Sequence, residues 1–246
     1  MNPTGDQRRI ERFPAAAVVF ALLLASRLAA VHAQAPDQAA IIRQIDAAVA
    51  ARVDHVLSFT DIEHYTVYRS SDEIHPVAEM TVRDSYTKGA GKQYALLSQS
   101  GSGLVLRYGL RPLIDNETFI NRPGNVEKSW FTSANYSMQL KPGGPQKLDG
   151  RDCHALTITP KAQAPNLVIG ALWADARDGT LVQIEGVASK SPSPFAGATY
   201  MMRQYANIQG FAMATHARAE SRSLLFGRTV VVIEYSDYHL DLRANP

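Results

Sequence analysis

Asp237 and His239 stand two residues apart in a predicted strand, 228–240, so a carboxylate and an imidazole share one strand face. That juxtaposition could serve general-base chemistry, but no nucleophile motif accompanies it. Glu63-His64 and His75 offer donors for a metal, yet their spacing crosses a turn, and a lone strand histidine is usually a structural hydrogen-bonding group. Asp175 and Asp178 flank a hairpin, and turn chemistry accounts for both. Cys153 is the single cysteine, which excludes an intrachain disulfide and any multi-cysteine zinc or iron–sulfur site. It reads as a buried strand residue, with a reactive thiol as the alternative. No G-x-S-x-G, H-E-x-x-H, C-x-x-C, P-loop or G-x-G-x-x-G pattern occurs, and Gly101-Ser102-Gly103 lacks a third glycine. The expectation is a binding protein with no catalytic residues, no metal and no cofactor.

What the residues offer instead is soft apolar lining. Along 77–86, Ala78, Met80, Val82 and Tyr86 fall on one side and Glu79, Thr81, Arg83 and Ser85 on the other. By the same parity, Tyr94, Leu96, Trp173, Met201, Phe211 and Met213 are the candidate lining on other strands. Methionine adapts to irregular shapes, which suits a cavity for acyl chains. Leu113, Ile114 and Phe119 lie in a helical interruption between strands and would occupy the groove as a displaceable lid over 110–120. A one-residue register error would invert any of these strands.

The elements that must position these residues follow from periodicity. From Pro36 to about Leu57, Ile41, Ile42, Ile45, Ala48, Val49, Val53 and Val56 recur at helical spacing, with Pro36 and Asp37 suited to the first turn. After that the period becomes two. Strands are predicted over 62–69, 77–86, 93–98, 136–141, 153–159, 167–175, 181–188, 198–206, 211–222 and 228–240. Asp178-Gly179 is a hairpin signal, and Gln209-Gly210 and Phe226-Gly227 are two further tight connections. About ten antiparallel strands cannot remain flat, so the sheet must curl, close or split into a sandwich. Available helices and the lack of a second run of strands favour the curled form. The fold class is α+β: a strongly curved, half-open antiparallel barrel whose concave face is covered by helices.

The 246 residues are 46% hydrophobic and 20% charged, ordinary globular usage that disfavours disorder and a polytopic membrane protein. Arg8, Arg9 and Arg12, an apolar run over 13–25, and Val31-His32-Ala33 have the order of a secretory signal peptide, assigned to 1–35. Thirteen apolar residues are too few to cross roughly 30 Å of hydrocarbon, although retention as an anchor is the alternative to cleavage. Removing Arg8, Arg9, Arg12 and Arg27 with Asp6 and Glu11 balances the remaining charges, which argues against nucleic acid as a partner. The expected product is a soluble periplasmic chain with a single domain over 36–246.

The C-terminal half carries Leu148-Asp149-Gly150-Arg151-Asp152-Cys153-His154-Ala155-Leu156, Gly170-Ala171-Leu172-Trp173-Ala174-Asp175, Asp178-Gly179-Thr180-Leu181-Val182 and Ile233-Glu234-Tyr235-Ser236-Asp237-Tyr238. In these segments, with the leader and first helix, the chain resembles the outer-membrane lipoprotein-sorting, LolA-like family. The resemblance implies a half-open barrel plugged by helices, and a periplasmic carrier or sensor of acyl chains from lipoproteins or lipids. It also implies membrane-bound donor and acceptor proteins as partners. Two rivals remain: an interaction module of the same fold with its cavity filled, and an unrecognised hydrolase.

Overall fold

The computed structural model of the chain describes residues 37–191, 196–223 and 227–244. The leader assigned to 1–35 and the turn at Phe226-Gly227 fall wholly or partly outside them. Helix α1 (Gln38–His55) begins where the Asp37 carboxylate accepts a hydrogen bond from the Ala39 backbone N–H at 3.0 Å. Ile41, Ile45 and Val49, spaced four apart, form its buried stripe. At His55 the chain passes directly into strand β1 (Val56–Arg69), six residues before the expected start, and Val56 and Phe59 are already buried in a core. Strands β2 (Ala78–Thr87) and β3 (Gly91–Gly101) follow.

A continuous helical stretch then comprises α2 (Gly103–Val105), a π-helical turn (Leu106–Leu110) and α3 (Arg111–Ile120), with a 3₁₀ turn at Val126–Ser129. The remaining strands are β4 (Tyr136–Leu140), β5 (Gln146–Leu148), β6 (Arg151–Pro160), β7 (Val168–Asp175), β8 (Leu181–Ala188), β9 (Ala196–Ile208), β10 (Phe211–Ser223) and β11 (Gly227–Leu242). The short β5, paired to β6, is the strand that alternation did not reveal; three residues are too few to show a period.

All the pairings are antiparallel, in the order β3-β2-β1-β11-β10-β9-β8-β7-β6-β4. The sheet is not closed: its edges are β3 and β4, and the connection between those two edges is the 102–135 segment that contains the helical stretch. An open eleven-stranded antiparallel sheet with few helices is consistent with a half-open barrel.

The described residues form three apolar cores. The α1 stripe packs with Leu156, Leu172, Ile184 and Tyr205. Leu106 and Leu110 pack with Tyr65, Val67, Ala78, Met80 and Val82. Val56, Phe59 and Met213 form the third. Gly179, at φ +74, shows how closely α1 approaches: a Cβ there would lie 2.6 Å from the backbone carbon of Gln44.

Candidate site on the inner face of the sheet

The lining residues selected by parity divide into four groups. Met80 and Val82 are buried beneath Leu106 and Leu110, and Tyr94, Leu113 and Ile114 pack against the same core. Met201 packs against the α1 core, while Phe211 and Met213 belong to the third core near the end of α1, where the Phe211 ring stacks on His55. Leu96 pairs with Val82 but is half exposed on the edge strand, and Phe119 is exposed beside the Arg122 guanidinium. Trp173 departs from its assignment. It pairs with Ala155 and Gln183, while its neighbours Leu172 and Ala174 join the α1 core, so its ring is on the opposite face with the Lys141 ammonium 5.2 Å away.

The same inner face carries charge that alternation alone does not bring out. On adjacent strands, Asp61, Glu63 and Asp84 are buried with carboxylate oxygens within 4.8 Å of one another. Their pairing explains why: Asp61 faces Asp84 across β1 and β2, Glu63 faces Val82, and Asp84 faces Tyr94 on β3. Lys92 enters from β3, its ammonium 3.1 Å from Glu63 and 2.5 Å from Asp84. The latter is an ion-pair contact outside aligned hydrogen-bond geometry. The Tyr65 hydroxyl donates to Glu63.

Burial would depress the Lys92 ammonium, but Glu63, Tyr94, Asp84 and Asp61 together hold its pKa well above the usual lysine value. Burial pushes Asp61 up to about 8 against the pull of Lys92, with Glu63 and Asp84 adding to the rise. No donor faces either Asp61 oxygen. A neutral carboxyl that donates its own proton to Asp84 satisfies that arrangement. Three hard oxygen donors could hold a cation by type, but here the Lys92 ammonium already supplies the counter-charge. Arg203 lies on the same face, paired with Ile184 and Ala217, within electrostatic reach of Tyr235, Tyr205, Glu117 and Glu63.

One signal for this cluster was legible. Asp84 shares the parity of Ala78, Met80, Val82 and Tyr86, and a carboxylate inside an apolar stripe needs a buried partner.

The other chemically flagged residues have separate engagements. His64 meets Thr81 at 3.0 Å and Glu79 at 3.5 Å, whereas His75 pairs with Asp72 at 3.0 Å. Asp237 and His239 border a half-polar surface cleft of about 500 Å³ with Thr60, Ile62 and Arg83, but the His239 ring contacts the Asp237 backbone carbonyl, not its carboxylate. Asp175 receives Arg177 and caps its turn, as turn chemistry requires. Cys153 is buried, and burial pushes its thiol up, away from nucleophilic use. A second cleft, about 210 Å³, lies between α1 and the strands and is lined by Val49, Arg52, Leu181 and Phe211. No described helix is long and apolar enough to cross a membrane.

No family model matches the chain, and no curated protein matches it. The chain is similar to several solved structures. Among them, a LolA superfamily protein from Nitrosomonas europaea is 16% identical, with 85% of this chain and 94% of that one covered and a TM-score of 0.38. A DUF1329 family protein from Desulfovibrio piger is 15% identical, with 82% and 93% covered and a TM-score of 0.39. A domain described as an outer membrane lipoprotein-sorting protein, from Vibrio parahaemolyticus, is 12% identical, with 82% and 91% covered and a TM-score of 0.46.

Proposed function

We propose that this chain is a periplasmic carrier or sensor of acyl-bearing molecules, lipoproteins or lipids, whose chains lie against a concave inner face once the 103–120 segment moves aside. The observation that carries the reading is how lightly that segment is held. Of its eighteen residues only Leu106 and Leu110 are buried, and α3 buries none. Beneath it lie Tyr65, Val67, Ala78, Met80 and Val82, an apolar floor that an acyl chain could cover in its place. At about 210 Å³, the apolar cleft beside α1 is below the usual range of roughly 300–1,000 Å³ for ligand pockets, so an acyl chain there would need part of the chain to give way. An acyl chain of about 14 methylenes brings on the order of 11 kcal/mol gross, before the costs of association. Because the segment re-covers the same floor on release, the exchange is nearly balanced, which unloading requires. Membrane-bound donor and acceptor proteins belong to the same proposal.

The test is a titration of delipidated protein with a fluorescent fatty acid, read alongside amide exchange. Saturable binding, competed by unlabelled fatty acid and accompanied by lost protection in 103–120, is expected. The interaction-module alternative predicts neither signal, and their joint absence would end the carrier reading.

A further inference from the structure

The helical stretch 103–120 turns Leu106 and Leu110 toward the sheet, so its opposite stripe should be polar. It is not. Leu104 is 70% exposed, Tyr108 64% and Phe119 54%. With Arg111, Pro112, Asp115 and Arg122 they recur three or four residues apart, and Arg107 flanks them. Leu104 and Phe119 are fifteen residues apart, roughly 22 Å of helix, so the outer stripe is long, shallow and apolar at intervals. The intervals are cationic. Arg107 lies 5.3 Å from the Tyr108 ring and Arg122 5.9 Å from the Phe119 ring. Asp115 is the one exposed acidic group on the stretch; Glu117 is half buried, within electrostatic reach of Tyr94 and Arg203.

We propose that this outward stripe is a docking surface for an anionic lipid bilayer. Aromatic rings settle at the headgroup level of a bilayer, leucine reaches below it, and arginine holds its guanidinium among phosphates while its stem lies on apolar surface. Several cations beside exposed aromatic and aliphatic groups are the arrangement by which a helix lies in the interface plane. A protein partner would need a groove shaped to this stripe and acidic groups placed against its arginines, whereas an anionic bilayer supplies the negative charge without shape matching. This stripe is convex and punctuated by full charges, which favours the bilayer. The inference stands on the outer stripe alone and does not require acyl chains to enter the inner face.

The test is co-sedimentation of the chain, as an expressing bacterium makes it, with vesicles of phosphatidylglycerol and phosphatidylethanolamine. Pure phosphatidylcholine vesicles report adhesion independent of charge, including any from the apolar run 13–25. Binding to the anionic vesicles should be at least about tenfold stronger and weaken with salt. R107E/R111E/R122E should lower it about a hundredfold, and L104S/Y108S/F119S should also weaken it. Both variants alter exposed side chains, so circular dichroism should match the parent. Equal binding to both lipid compositions would overturn the proposal, as would full binding by either variant. So would a change in self-association of the variants, seen by sedimentation velocity, with vesicle binding intact, since the stripe would then cover protein. Failure here leaves fatty-acid binding at the inner face untouched, and the converse also holds.

Discussion

Two helical elements pack against the sheet, and they are held with different firmness. Over the β4–β8 half lies α1, eighteen residues with an N-cap and a fully apolar stripe. It is tied to its surroundings by side chains: Gln38 accepts from the Leu140 N–H at 2.9 Å, and Asp46 accepts from the Ser133 N–H and hydroxyl at 2.8 and 2.6 Å. Against β1 and β2 packs a stretch interrupted by a π-turn, with only two buried leucines and with Val105, Leu113 and Ile114 partly buried beside them. Such π-turns are often found at functional sites. Beside the second element the sheet also carries the buried Asp61–Glu63–Asp84–Lys92 cluster, while α1 rests on hydrocarbon. One helical element is thus tied by apolar packing and side-chain hydrogen bonds, while the other is lightly buried on strands that also carry the charged cluster.

The sharpest way to break the comparison is to remove the charge balance of the cluster on β1, β2 and β3. Lys92→Met leaves Glu63 and Asp84 buried without their cation and should cost about 3–5 kcal/mol in urea unfolding. A loss below about 1 kcal/mol would mean that the carboxylates find water or protons, and that the cluster is not closed. Next comes α1. Ile45→Ala, at a fully buried α1 position, should cost about 3 kcal/mol with the whole domain unfolding together. Leu110→Ala removes an equally buried group from the second element. It should move the global midpoint by only about 1 kcal/mol and appear chiefly as faster amide exchange over 103–120. Equal global losses would mean that the two elements are one cooperative unit.

The third effect concerns the close approach of α1 to the Asp178-Gly179 turn. A methyl group at Gly179 must move the Gln44 backbone and also accept φ +74, so Gly179→Ala should cost about 2 kcal/mol. The 210 Å³ cleft beside α1 should widen, detectable as increased binding of a small apolar dye.

How much of this was readable in the sequence follows from the kind of signal each feature leaves. The first helix was legible because Ile41, Ile45 and Val49 repeat at fixed spacing, and β8 matched its expected limits because Leu181, Val182 and Ile184 are bounded by a turn and a loop. The burial of Met80 and Val82 was legible from the alternation along β2. Trp173 was misplaced because β7 buries residues of both parities, Ala171 as well as Leu172 and Ala174, so alternation could not choose its face. The charged cluster was obscured by a different cause. Asp61 precedes the expected start of its strand while Glu63 lies inside it, and Lys92 immediately precedes its own, so their common face emerges only from the pairing of β1, β2 and β3. The outer stripe of 103–120 was hidden because apolar residues on both sides of a helix read as core until one side is known to face solvent.

The smallest effect sharpens the comparison through pH. Asp61 has a folded pKa of about 8 against an ordinary 3.8, so between those values the folded chain holds a proton that the unfolded chain has released. Stability therefore falls as pH rises through this window and levels off above about 8, with a slope no steeper than about 1.4 kcal/mol per pH unit for one proton. The exposed Asp72 and Glu73, both lowered to about 2, have the opposite sign: they contribute stability that is lost only as pH falls below about 4, outside the interval from 5 to 8. Asp61→Asn keeps a donor toward Asp84 and removes the titration, so urea midpoints measured from pH 5 to 8 should flatten in the variant. Amide exchange corrected for its intrinsic pH dependence should locate the loosening in 103–120 and leave α1 unchanged. A slope that survives the substitution would assign the proton elsewhere. A slope shared equally by α1 would show that charge beside one element is felt by both.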